Sequence, residues 1–509
     1  MILAGGIVVG IGPAATAASA SCGTLSRPDE KAAKALALAC HKAVAVDGER
    51  SPTRTVAANA NGSFTATEWA TPHYVHKADG TWRTIDLKLK TNPDGSISPV
   101  ASANAVVLSG GGTGFFAKQV NGGKELVWTW PAGPLPKPRL AGSSATYREV
   151  LPGVDLVATV DEAGFSEVLV VKNATAAANP VLGQIGFALS GSGLTTAGAA
   201  GIAPSVAAAV DPAFSVGAAY QWDSALPAEP MPKNAPAQAV KDATISDTGG
   251  PGYGAHQSPV PTRMVGTSLV LAPDMTMLAS ARTRFPVYID PKSSAPLRSS
   301  WTMINSGHTT QQYYTYDRAD HAKVGNAGDG TNMYRSLFQF STSAWKGKHV
   351  TAAAFYDGLV YSWSCSNTST EVHVSSSATI GSGTTWSSNS STWGSSLDTA
   401  SNQNCKSATG VDTEWSSSAL TTAVAGKATA ATIVIGLRAS DEANADNGWK
   451  KFDETSGAYG AKLSVTYNTA PATSNLLLDG SACKTSSTSP AVLSTLGSPP
   501  HNPVPKVTV

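Results

Sequence analysis

Two kinds of side chain in this sequence have the types and spacing to bind something: clustered oxygen donors and aromatic rings set among Ser and Thr. Calcium prefers carboxylate and carbonyl oxygens. Asp441, Glu442, Asp446 and Asn447 lie within one short run, and Asp317, Asp320, Asn326 and Asp329 form a looser set. Neither has the spacing of an EF-hand loop. Two readings therefore stand for each. One is a structural calcium, with Asp441, Glu442 and Asp446 as the metal ligands. The other is a solvated turn whose Asp and Asn side chains bond the local backbone. Aromatic rings are rigid, amphipathic surfaces on which the apolar face of a sugar ring can stack. Tyr313, Tyr314 and Tyr316 are close together, and strand alternation would put Tyr314 and Tyr316 on one face. Trp363, Trp386 and Trp393 sit in Ser-rich segments. Tyr314, Tyr316, Trp363 and Trp386 are thus the candidate carbohydrate-binding residues. The alternative for each is core packing or a cross-strand pair, which is also how Trp69, Trp82, Trp128 and Trp130 read on their strand patterns.

Signatures of covalent or metal-assisted catalysis are missing from the sequence. It has no G-x-S-x-G elbow, no H-E-x-x-H and no phosphate-cradling P-loop. A glycosidase carboxylate pair is defined in space rather than in sequence, so a hydrolase stays open as an alternative to a non-catalytic binding module. The five cysteines show no zinc-ligand spacing. In an oxidising compartment Cys22 and Cys40 could form one bridge and Cys365 and Cys405 another, with Cys483 left over.

The first residues support such a compartment. An apolar run from Ile2 to Ile11 is too short to span a bilayer. It leads through a small-residue stretch to Ala18-Ser19-Ala20, the A-x-A pattern of signal-peptide cleavage. No Lys or Arg precedes it. We expect a signal peptide over 1–20 and a secreted product, released or wall-associated, without membrane insertion. Charged residues make up 14% of 509, well below the average near 25%, so Ser, Thr, Asn and Gly must supply the polar surface. A net charge of +1 leaves no electrostatic footprint for nucleic acid.

The elements that must position these residues read as all-β. Residues 21–62 contain a short helix near 28–39 and a connector. From residue 63, apolar and polar residues alternate in short runs separated by turns such as Lys77–Gly80 and Asn92–Gly95. Phe165–Lys172 reads as a central strand. We expect a first β-domain over 63–297 with a Pro/Ala-rich insertion at 223–262. A second, jelly-roll-like sandwich would cover 298–468, followed by a disordered Ser/Thr/Pro-rich tail over 469–509.

The runs Thr146–Leu156 and Val168–Pro180 resemble the N-terminal region of large secreted actinobacterial proteins that carry laminin-G-like or Rhs modules. Residues 300–468 resemble a DNRLRE-type, carbohydrate-binding-like jelly roll. The resemblance rests on Val324-Gly325, Arg335–Phe340, Ser362–Cys365, Thr384–Trp386, Asp441–Phe452 and Leu463–Asn468. It implies a polysaccharide or cell-wall glycan as partner. It also implies a rival role, as the scaffold at the front of a larger Rhs-type effector.

Overall fold

The computed structural model describes residues 22–226 and 245–469, except 78, 163, 217–218, 253, 291, 295–299, 312, 314–320, 327–331, 382, 406–409, 444–447 and 454–458, together with 477–478 and 481–482. The expected leader, Tyr314, Tyr316, Asp317, Asp320, Asp329, Asp446, Asn447, Cys483, residues 227–244 of the Pro/Ala-rich insertion and nearly all of the tail lie outside the described residues.

Local sequence accounts for the smallest units. The Lys77–Gly80 turn joins Tyr74–His76 to Trp82–Thr84, and Asn92–Gly95 joins Asp86–Thr91 to Ile97–Ala101. Gly80 and Gly95 sit at φ +80 and +84, the left-handed conformation that the turn requires and glycine adopts without strain. The helix runs over Glu30–Cys40. The Asp29 side chain accepts the Ala32 N–H, which satisfies one of the first-turn donors. Cys22 is bonded to Cys40, tying the segment before the helix to its last residue, and Cys365 is bonded to Cys405.

Two cores result. The first is shared by an eight-stranded sheet, ending in Thr262–Val265 and Asp86–Thr91, and a nine-stranded sheet. Phe116, Trp128, Tyr147, Phe165 and Phe187 fill it, with ring centroids 5.7–6.2 Å apart. Gly164–Val171 is central as expected, flanked by Val154–Val160 and Val287–Asp290. Trp128 and Trp130 are buried, whereas Trp69 stacks on His73 and Trp82 packs against His76.

The second core lies inside a fourteen-stranded sheet folded on itself. Ala322–Asn326 is the hinge strand: it pairs with Lys450–Phe452 on one edge and with Met333–Ser341 on the other. Phe338, Phe355, Trp415 and Phe452 meet between the layers at 5.5–5.9 Å.

The expected boundary at residue 63 is displaced. Phe64–Trp69 pairs with Lys462–Asn468, from Phe64 opposite Tyr467 to Trp69 opposite Lys462. Arg54–Ala58 lies on its other edge, and the inner face of the helix (Ala33, Leu36, Ala37) joins the second core. Phe64 alternates inward and stacks on Tyr467 at 5.7 Å. Glu30 bonds Lys348 at 2.5 Å and Tyr467 Oη at 3.0 Å. The physical reason is an open strand edge. Lys462–Asn468 needs a backbone partner, and the early strand supplies one with matching alternation. The first β-domain is thus inserted between a strand of the second and the remainder of that second domain.

Candidate functional site

On the outer face of the second domain, strand register builds a stripe of aromatics and lysines. Tyr361 lies opposite Lys451, and Lys451 lies opposite Lys323. These positions alternate with core residues Leu359, Phe452, Ala322 and Val324 and so lie on the opposite face of the sheet, where Lys323 and Tyr361 are half-buried and Lys451 is covered to 8% exposure. Lys451 Nζ is 6.0 Å from the centre of the Tyr361 ring and 5.6 Å from that of Trp449. Lys323 Nζ is 5.6 Å from the ring of Tyr334. Tyr361 and Trp449 meet edge to face at 5.5 Å, and Trp449 and Trp363 at 6.4 Å. The Trp363 N–H donates to Trp449 O at 3.0 Å, which holds the two tryptophan-bearing segments together. Among the described residues the Trp449 indole N–H has no acceptor.

The Tyr334 end of the stripe opens into a cleft of about 280 Å³ between the two domains. Tyr220 and the edge strand Gln257–Val260 form one wall, and Asn305, His308, Tyr313, Lys323 and Tyr334 form the other. Its described lining mixes aromatic, amide, hydroxyl and cationic side chains with Pro251, Pro259 and Met303, and contains no Asp or Glu. That composition can stack on rings and hydrogen-bond hydroxyls.

Of the residues singled out in the sequence, Trp363 belongs to the stripe. Trp386 has another task. The Arg335 guanidinium lies 4.8 Å from its ring centre and 5.3 Å from that of Trp393. Arg335 donates to both carboxylate oxygens of Glu442, at 2.7 and 2.8 Å, and to Ser390 O at 2.7 Å. Gly436 lets Trp393 lie close against its strand, because a Cβ there would stand 2.4 Å from the ring. Trp386 is therefore one jaw of a clamp on arginine, and both oxygens of Glu442 are taken by the guanidinium rather than offered to a cation. The Asp441 carboxylate accepts the Ala443 N–H at 3.1 Å, as a turn would have it. Among the described residues no three His, Cys, Asp or Glu side chains converge on a common point.

Tyr334, Tyr361, Lys323, Lys451 and Trp449 were not singled out as site residues in the sequence. Strand alternation alone could have placed Tyr361 on an outward position. Its partners come from segments about 40 and 90 residues away, joined only by register.

Comparison with known proteins identifies no family: no family model matches, and no curated protein matches in sequence. Among solved structures, the chain is similar to BpGH86A, a β-porphyranase of glycoside hydrolase family 86 from the human gut bacterium Bacteroides plebeius. The TM-score is 0.15 at 10% identity, over 64% of this chain and 39% of that one. It is also similar to an exo-β-1,3-galactanase from Phanerochaete chrysosporium, with a TM-score of 0.12 at 7% identity, over 79% of this chain and 100% of that one. The chain spans about two fifths of the length of the porphyranase. Likenesses this slight carry no argument about fold or activity.

Proposed function

We propose that this is an exported, non-catalytic binding protein whose second domain holds a polysaccharide or cell-wall glycan along the Tyr334–Tyr361–Trp449–Trp363 stripe. The observation that carries the reading is the stripe itself. Half-buried aromatic rings from three chain segments gather on the face away from the core and run towards a cleft whose lining includes amides and hydroxyls. Export is supported by the Ala18-Ser19-Ala20 cleavage pattern and by two disulfides, which persist in oxidising compartments. No helix among the described residues is long and apolar enough to cross a membrane.

The test is affinity electrophoresis against soluble polysaccharides, together with pull-down on cell-wall preparations. Losing a stacked ring is worth up to about 1.4 kcal/mol, or about tenfold in Kd. Trp363→Ala and Trp449→Ala should each weaken retention by about that factor. A wild-type protein that retains no glycan would sink the proposal, as would two variants that bind as well as wild type.

A further inference from the structure

Lys450 is 0% exposed. Lysine is almost never taken fully out of water unless a carboxylate pairs with it. This one instead reaches across the interior of the second domain. Nζ donates to Thr368 O at 2.5 Å, to Thr370 Oγ1 at 3.2 Å and to Asn402 Oδ1 at 2.9 Å. Among the described residues no carboxylate pairs with it, and burial pushes the amine down from 10.5 to about 7. A substantial share is therefore neutral near physiological pH, and a neutral, desolvated lysine is a nucleophile.

Asn402 presents the matching electrophile. Its Oδ1 faces the amine, while its Nδ2 donates the other way to Thr413 Oγ1. A neutral amine has two N–H bonds. With these directed at Thr368 O and Thr370 Oγ1, the position that donates to Asn402 Oδ1 in the charged amine becomes a lone pair that can turn to the adjacent carbon, Cγ. Nζ stands 2.9 Å from Oδ1, the oxygen carried by the carbon it would attack. Phe355, Trp415 and Phe452, all 0% exposed, pack beside these strands and keep the interior dry. A buried carboxyl is also present on this inner face. Asp357, 0% exposed, lies between core residues Phe355 and Leu359 and directly opposite Thr413 in the strand pairing.

We propose that Lys450 and Asn402 join in an intramolecular isopeptide bond, with Asp357 as the group that moves the protons. Lys450 Nζ attacks Asn402 Cγ, and the carbonyl opens to a tetrahedral carbon. Nζ gives up one proton, and Nδ2 takes one up. The Cγ–Nδ2 bond then breaks, the carbonyl reforms and ammonia leaves. A primary amine and a primary carboxamide become a secondary amide plus ammonia, Asp357 ends as it began, and no oxidant or cofactor enters. The bond ties Lys450–Phe452 in one layer to Asp398–Asn402 in the other, close in sequence to the Cys365–Cys405 disulfide. Two covalent ties then secure one corner of the sandwich.

Intact mass spectrometry of the full secreted chain, reduced and alkylated, tests this directly. Wild type is expected to be lighter than its processed sequence by one ammonia, with a branched peptide joining Lys450 to Asn402 after digestion. Asn402→Ala and Lys450→Met should both restore the sequence mass. Asn402→Asp, which nearly preserves side-chain volume, should form the same bond with loss of water in place of ammonia. A folded wild type, verified by circular dichroism, whose mass equals its sequence overturns the proposal, as does an ammonia loss that maps elsewhere. Ammonia loss that persists in Asp357→Asn removes Asp357 from the reaction.

Discussion

Arg335→Ala is the most informative single perturbation of the second domain's fold, because the arginine holds three separate segments. Its side chain and that of Glu442 are only 11% and 16% exposed. Removing one partner of a buried pair costs about 3–5 kcal/mol, since the other charge is left uncompensated. Losing its place between the rings of Trp386 and Trp393 adds about 1 kcal/mol, and Ser390 O loses a charged donor worth about 1.5 kcal/mol or more. Residual exposure lets water repair part of this, so we expect a net loss of about 3 kcal/mol. For a domain of this size that lowers Tm by about 6–12 °C. Removing both charges together is expected to hurt less, so Arg335→Met with Glu442→Gln should lose only about 1 kcal/mol and show strong coupling. Scanning calorimetry of the four proteins of the double-mutant cycle measures this. Chelator in the buffer should leave the wild-type Tm where it is, because Glu442 is held by arginine. A loss below about 1 kcal/mol for Arg335→Ala, additive single variants, or a chelator-sensitive Tm would refute the reasoning.

Trp128→Ala in the first core should cost about 3–5 kcal/mol and shift only the calorimetric transition of that domain, because the two cores share no residue; equal shifts of both transitions would contradict separate cores. Replacing Cys365 and Cys405 by serine frees a loop with a sequence separation of 40. Urea melts should then show a loss of about 4 kcal/mol. In Asn402→Ala, Lys450 stays a free amine whose folded pKa of about 7 lies below the unfolded 10.5. Between those values the unfolded chain binds the extra proton, so stability should rise with pH by up to about 1.4 kcal/mol per unit. Denaturant melts across that window should show the slope in the variant and not in the cross-linked wild type.

Much of the fold was legible in the sequence because its signals are local. The turns at Lys77–Gly80 and Asn92–Gly95 carry their own glycines, and Asp29 caps its own helix. The β-branched run that became Gly164–Val171 marks itself as a strand buried on both faces. The site was only partly legible. Trp363 could be named as a candidate ring, but Trp386 could not be told apart from it. Both are tryptophans in Ser-rich surroundings, and the arginine that occupies Trp386 comes from a strand about 50 residues earlier.

What the sequence by itself determined is therefore the all-β class, the short N-terminal helix, and the two cysteine pairs that the structure bonds. Alternation, turn chemistry and capping act over a few residues, and the bonded cysteines are sequence neighbours within their own segments. Tertiary structure decided the rest. It joined Phe64–Trp69 to Lys462–Asn468 across the whole first domain, because backbone ladders bond any strand whose edge is open and whose alternation fits. It also decided which lysine of the Lys450-Lys451 pair faces the core. A strand shows one residue of each adjacent pair to either side, and only register with the Leu359 strand turned Lys450 inward to Asn402 and Lys451 outward to Tyr361 and Trp449.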